Sequence, residues 1–167
     1  MKGWLRSIAC AAAGVGFLAA AGAGFAADTI KTRQAVMAEL GAHTKAVGAF
    51  LKGNEDPRKS AALGSAGDVE FRATAMASLA KRLPSFFPKG TSSSDMPGKT
   101  RAKPEIWTRS DKFMAAAATL ENLSNKLAEA AATEDKSRIA AVMKTLGKDG
   151  CGGCHATFRG PKPKGAM

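Results

Sequence analysis

Apolar residues recur at helical spacing along most of this chain, and prolines and glycines interrupt that pattern at only a few places. Asp28 is predicted to cap the first helix, Pro57 to open the second, and Pro84 to end it. No segment shows the alternation of apolar and polar residues that indicates a strand. The four predicted helices span residues 28–52, 57–83, 104 or 105 to 132, and 134 or 135 to 159.

The segment between the second and third helices, "PSFFPKGTSSSDMPGKTRAKP", is rich in proline, glycine and serine, and it predicts a long ordered crossover. Trp107 is predicted to anchor the start of the third helix. Four helices of similar length, joined by two short links and one long one, predict an all-α antiparallel four-helix bundle. Its many alanines leave few large side chains for a core, and a large buried prosthetic group would fill that deficit.

The N-terminus predicts a signal peptide over residues 1–26, which leaves a single domain over residues 27–167. Lys2 and Arg6 precede an apolar run that ends in small residues, and cleavage is predicted after Ala26 or Ala23. An uncleaved membrane anchor is the alternative interpretation, but alanine and glycine dominate the run. We therefore expect a protein exported to the bacterial periplasm that has no membrane attachment after cleavage.

The formal charge of +11 falls to +9 when the signal segment is removed. The basic residues are scattered through amphipathic stretches and form no dense run, so nucleic acid is not an expected partner. A positive surface favours redox partner proteins with acidic docking patches. Lysines that simply solvate the helix faces would give the same composition.

The segment "CGGCH" holds Cys151 and Cys154, the two cysteines that remain after signal removal, and His155. A disulfide across two residues closes too small a loop to stabilise a fold appreciably. The pattern C-x-x-C-H is the attachment signal for c-type haem, in which each thiol bonds the porphyrin and the imidazole ligates iron. A thioredoxin-like pair would need a strand nearby, and a zinc site would need more ligands than His43 can add. The motif therefore predicts one covalent haem c per chain.

The ligand on the opposite side of the iron decides between electron exchange and gas binding. Met37 lies mid-face on the first helix, whereas His43 lies away from the apolar face and is predicted to be a surface or helix-end histidine and not a ligand. Helical spacing alone only slightly favours Met37 as the second iron ligand over three other helical methionines, which are Met76, Met114 and Met143. Arg159 lies one turn beyond His155, where it can interact with the haem or with solvent.

Four segments, "IKTRQAVM", "FFPKGTS", "TRAKPEIW" and "CGGCHATFR", resemble the class II c-type cytochromes, the cytochrome c′ family, in the family's order. The resemblance covers nearly all of the mature chain and is closer to the low-spin, methionine-ligated branch. It implies that Cys151 and Cys154 bind the haem, that His155 ligates iron and that Met37 faces the distal side. It also implies that Arg33 contacts a haem propionate and that a homodimer can form.

These observations lead to a non-enzymatic, periplasmic one-electron carrier in which His155 and Met37 ligate the iron of haem c. The alternative is a five-coordinate cytochrome c′ that binds NO or CO beside Met37. A haem-free metal or thiol protein is the third hypothesis.

Overall fold

The computed structural model describes residues 17–53 and 65–162, and this part of the chain is mostly helical. Its α5, π segment and α6 form one continuous unit, because Leu146 and Gly153 at the junctions keep right-handed helical backbone angles. Four long helical units result, and the predicted all-α four-helix bundle is confirmed. The elements are α1 (Phe17–Leu51), α2 (Ala66–Arg82), a 3₁₀ turn (Leu83–Phe86), α3 (Glu105–Thr108), α4 (Ser110–Ala132), α5 (Lys136–Thr145), the π segment (Leu146–Gly152) and α6 (Gly153–Phe158).

The first two helices begin at different residues from those predicted. The cap prediction for Asp28 is wrong, because alanine-rich sequence before it continues the helix back to Phe17. The start predicted at Pro57 lies outside the described residues. Helix α2 begins after Ser65, which forms a capping box: its hydroxyl accepts from the Asp68 amide at 3.3 Å, and its own amide donates to the Asp68 carboxylate at 3.1 Å.

The third predicted helix is divided in two at Arg109, whose φ of −131° and ψ of 48° are not helical. This break lets α3 pack against α6 while α4 runs alongside α2. The end of α2 before Pro84 agrees with the prediction. The last helical unit also starts as predicted, since the Asp135 carboxylate accepts from the amide of Ser137 at 2.8 Å.

The apolar interior consists of two clusters. The main core takes fully buried residues from all four helical units, including Val47, Met76, Leu127 and Leu146. The second cluster lies where the crossover meets α6 and contains four buried residues, Ala102, Ile106, Phe113 and Phe158, with Phe87, Trp107 and Cys154 packed against them. The Trp107 indole donates to the Phe87 carbonyl at 2.9 Å, which confirms its predicted role as an anchor.

Among the described residues, β pairing is limited to one isolated antiparallel bridge, between Ala102 in the crossover and Arg159 after α6. No described helix combines the length and apolar character that crossing a membrane requires. The bridge joins the crossover directly to the residues that follow the C-x-x-C-H motif.

Candidate functional site

A cavity of about 410 Å³ lies between α1, the crossover and α6. Five of the six predicted site residues line it: Arg33, Met37, Cys154, His155 and Arg159. Aromatic and aliphatic side chains of the second cluster form much of its wall, namely Phe87, Ala102, Ile106, Phe113 and Phe158. Residues that are distant in sequence therefore meet at one concave, largely apolar site.

The sixth predicted residue, Cys151, is half-buried and packs against the main core, outside the residues that line the cavity. It lies in the π segment, where the Gly153 amide donates to the Lys148 carbonyl five residues earlier. The fourth predicted helix is therefore not a regular α-helix throughout, because it contains this π segment. A π segment gives the residues around it a different angular spacing, and such segments are frequent at functional sites.

Burial raises the pKa of the Cys151 thiol, and it raises that of Cys154 with a further contribution from Cys151. Both thiols are therefore protonated at neutral pH and are free of a disulfide. Reactive cysteines of thioredoxin-like pairs have a lowered pKa, so this environment disfavours a dithiol redox role. Protonated, half-buried thiols, one of which lines the apolar cavity, suit covalent attachment to a large apolar group.

His155 is half-buried on α6, and its pKa is lowered by burial, then by Arg159 and Arg101. The neutral imidazole is the form that ligates a metal, and it predominates at pH 7. Arg159 is exposed, and its amide donates to the His155 carbonyl at 3.2 Å. Burial, and then the two nearby positive groups, therefore lower the pKa of His155 and favour the neutral imidazole that can ligate a metal.

Arg33 is buried, with 4% of its surface exposed. Its guanidinium donates to the Thr91 hydroxyl at 3.3 Å, to the Thr91 carbonyl at 3.1 Å and to the Thr100 hydroxyl at 2.7 Å. It also lies 4.5 Å from the centre of the Phe87 ring. Burial lowers its pKa to about 10, so the group stays charged at pH 7. All of these partners are neutral.

Met37 is the predicted distal residue, and it is half-buried on α1. Met76 is fully buried in the main core, Met143 packs against that core, and Met114 is 59% exposed. Of these four candidates, Met37 is the one that lines the cavity. Its position therefore favours Met37 over the other three methionines as the candidate distal residue.

His43 does not line the cavity. The prediction of a surface histidine is wrong, because its side chain is 13% exposed and lies between α1 and α2. Its Nδ1 is 3.4 Å from the Arg72 guanidinium, and its Nε2 has no hydrogen-bond partner within the described part of the chain. A pattern read along α1 alone could not show that α2 covers this position.

These residues fit a haem. Two thiols and a neutral imidazole are available on one helical unit, and the cavity wall beside them is apolar. None of the described residues that line the cavity is acidic, although four of them, Arg33, Lys99, Arg101 and Arg159, are basic. A buried guanidinium with only neutral partners favours a bound group that carries negative charge, as the two propionates of haem do.

Comparison with known proteins agrees with this geometry. The family model described as Cytochrome C′ matches residues 28–159. The chain belongs to the cytochrome c′ family. Proteins of this family carry covalently bound haem c. This finding confirms the predicted cofactor and the resemblance at the level of the family.

Curated relatives include two kinds of cytochrome. A cytochrome c′ of Pararhodospirillum photometricum is 32% identical over 130 residues, which cover 78% of this chain and 94% of the relative. A cytochrome c-556 of Agrobacterium fabrum is 35% identical over 139 residues, or 83% and 86% of the two chains. The solved cytochrome c′ from Thermochromatium tepidum superposes with a TM-score of 0.67 at 27% identity, covering 81% of this chain and 97% of the other. These similarities do not support the predicted placement in the low-spin branch.

Proposed function

We propose that this protein is an exported periplasmic haem c protein that binds small diatomic gases such as NO or CO. Cys151 and Cys154 attach the haem, and His155 is the proximal ligand. The observation that carries the proposal is the meeting of His155, Cys154 and Met37 at one apolar cavity. When bound, haem supplies an iron that exchanges one electron or binds a gas.

Aromatic and other apolar side chains of the chain itself make this site hydrophobic. Phe87, Phe113 and Phe158 pack edge to face along one wall, with ring centres 4.8 and 5.3 Å apart in the two neighbouring pairs. Such a wall excludes water and offers no hydrogen-bond donor to a polar ligand. Met37 contributes an apolar side chain to the cavity lining, where it would crowd a gas bound to the haem without closing the cavity. Two solved structures of similar fold, each 23% identical to this chain, are described as a nitric oxide complex and a carbon monoxide complex of substituted variants of a cytochrome c′ from Alcaligenes xylosoxidans.

Electron transfer with His155 and Met37 as the two axial ligands is the second candidate. It is favoured by the position of Met37, the one candidate methionine that lines the cavity. A thioether opposite an imidazole would raise the reduction potential relative to harder ligands. We rank gas binding first because cytochromes c′ occur among both the curated relatives and the solved structures of similar fold.

Optical spectra of the purified haem-loaded protein test the two candidates. The gas-binding proposal predicts a high-spin ferric spectrum, an unchanged spectrum in Met37→Leu, and a ferrous form that binds CO. Met114→Leu, at a position that is 59% exposed, is the matched control. A low-spin ferric spectrum that becomes high-spin in Met37→Leu, but not in the control, would contradict gas binding and support the electron carrier. A colourless protein with the mass of bare polypeptide would contradict both.

The proposal includes no enzymatic step, because neither gas binding nor electron exchange makes or breaks a bond in a substrate. We also propose acidic redox partners, no nucleic-acid partner, and no membrane attachment once residues 1–26 are removed. One solved relative, at 26% identity, is described as a cytochrome c′ with ligand-controlled dimer dissociation, and on that basis we propose a homodimer. Sedimentation of the haem-loaded protein with and without CO tests this assembly.

A further inference from the structure

The crossover residues Lys99–Lys103, here called the strap, contact both sides of the haem cavity. On the α1 side, the Arg33 guanidinium donates to the Thr100 hydroxyl at 2.7 Å. One residue along, the Gln34 side-chain amide donates to the Lys99 carbonyl at 3.0 Å. The strap is therefore bonded to the same helix that carries Met37, one turn beyond Arg33.

On the α6 side, the strap pairs with the backbone that follows the haem motif. The Gly160 amide donates to the Arg101 carbonyl at 2.7 Å, and the Lys103 amide donates to the Phe158 carbonyl at 3.0 Å. Two strap side chains add to this pairing: the Arg101 guanidinium donates to the Gly160 carbonyl at 2.8 Å and to the Pro161 carbonyl at 3.0 Å, and the Lys103 ammonium donates to the Thr157 carbonyl at 3.1 Å. Five hydrogen bonds therefore hold the strap against the end of α6 and the residues that follow it.

Thr100 is the point where the two sets of bonds meet. Its hydroxyl oxygen accepts from Arg33 and also from the amide of Ala102 at 3.1 Å. A hydroxyl oxygen has two lone pairs, so these two donors use its full accepting capacity. Ala102 in turn forms the bridge with Arg159. The chain of contacts runs from a buried charge on α1, through one hydroxyl, to the backbone four residues beyond His155.

We propose that Thr100 is a positioning residue that couples Arg33 to the strap and thereby fixes the separation of the distal wall, on α1, from the proximal wall, on α6. This inference rests on the haem attachment proposed above. This role differs from a simple contribution to stability, because it requires that a substitution at Thr100 change the environment of the haem next to His155. The bond from Arg33 is charge-assisted and partly buried, and we expect its loss to change the opening equilibrium of the strap by roughly tenfold.

The test compares Thr100→Val, Thr100→Ser and Thr119→Val in the haem-loaded protein. Valine keeps the shape of threonine and removes the hydroxyl, whereas serine keeps the hydroxyl. Thr119 is an exposed threonine on α4 whose hydroxyl bonds its own helix at the Ala115 carbonyl, so it controls for the loss of a hydroxyl elsewhere. Amide hydrogen exchange is measured at Lys103 and Gly160, and the haem is followed by ferric electron paramagnetic resonance.

In Thr100→Val we expect exchange at Gly160 and Lys103 to be about tenfold faster and the ferric resonance signal to shift, with Thr100→Ser and Thr119→Val close to wild type. Unchanged exchange in Thr100→Val would overturn the coupling. Faster exchange with an unchanged haem signal would overturn the positioning role and leave only a stabilising one. Failure of haem attachment is detected separately, by the mass of the wild-type protein, and the exchange comparison still decides whether Thr100 couples the two walls.

Discussion

Replacing Arg33 by methionine separates the interactions of a buried charge within the chain from its interaction with the haem. Burial lowers the pKa of Arg33 to about 10. Relative to its usual value of 12.5, this corresponds to a cost of roughly 3 kcal/mol for holding the charge inside the folded chain. The three hydrogen bonds to Thr91 and Thr100 oppose that cost and together contribute a few kcal/mol.

These two contributions nearly cancel, so the chain alone predicts a small effect for Arg33→Met, about 1 kcal/mol or less. A carboxylate about 4 Å from the guanidinium adds an attraction on the order of 4 kcal/mol near a protein surface. If the haem places a propionate beside Arg33, the variant should therefore lose roughly 2–4 kcal/mol in its free energy of unfolding.

Urea unfolding of the haem-loaded protein, followed by far-ultraviolet circular dichroism, measures this difference. Arg82→Met is the matched control, because Arg82 is an exposed arginine that lies 5.4 Å from the centre of the Phe86 ring. It should change the free energy of unfolding by less than about 1 kcal/mol. An Arg33→Met protein as stable as the control would refute an anionic partner for the buried guanidinium.

Two further predictions concern other parts of the bundle. Burial, and then Arg72, lowers the pKa of His43 in the folded protein. The neutral His43 side chain therefore contributes stability that is present above pH 6.5 and is lost as the pH falls through this lowered pKa. The variant His43→Gln should for this reason lose less urea resistance than the wild type between pH 7 and pH 5. Equal acid sensitivity in the two proteins would contradict this. Ser65→Ala removes the hydroxyl that caps α2 and should cost about 1 kcal/mol in urea unfolding, whereas Ser137→Ala, in the first turn of α5, should be nearly neutral.

The amino-acid sequence predicted the helical units and the crossover because their signals are local. Apolar periodicity, Pro84 and the cap at Asp135 act within a few residues of the structure they determine. The division at Arg109 and the π segment were missed, because they depend on how one helix packs against others. Gly150 illustrates this dependence: it is buried, and a Cβ there would lie 3.1 Å from the Leu120 side chain of α4.

For the same reason, only part of the candidate site could be predicted from the sequence. The residues of the C-x-x-C-H motif are adjacent in sequence, so the sequence alone indicates their role in haem attachment. The environment of Arg33 is not, because its hydrogen-bond partners Thr91 and Thr100 lie 58 and 67 residues further along the chain. The fully buried Met76 and the cavity-lining Met37 likewise have similar helical spacing, and only packing distinguishes them.

The bond from the Trp107 indole to the Phe87 carbonyl gives the protein a built-in optical probe. The chain has two tryptophans, and Trp4 belongs to the segment predicted to be removed on export, so Trp107 is the single indole fluorophore expected in the mature protein. It packs beside the aromatic wall of the cavity, where a nearby porphyrin would quench its emission by energy transfer. Recovery of indole emission during unfolding should therefore report when the crossover separates from the haem.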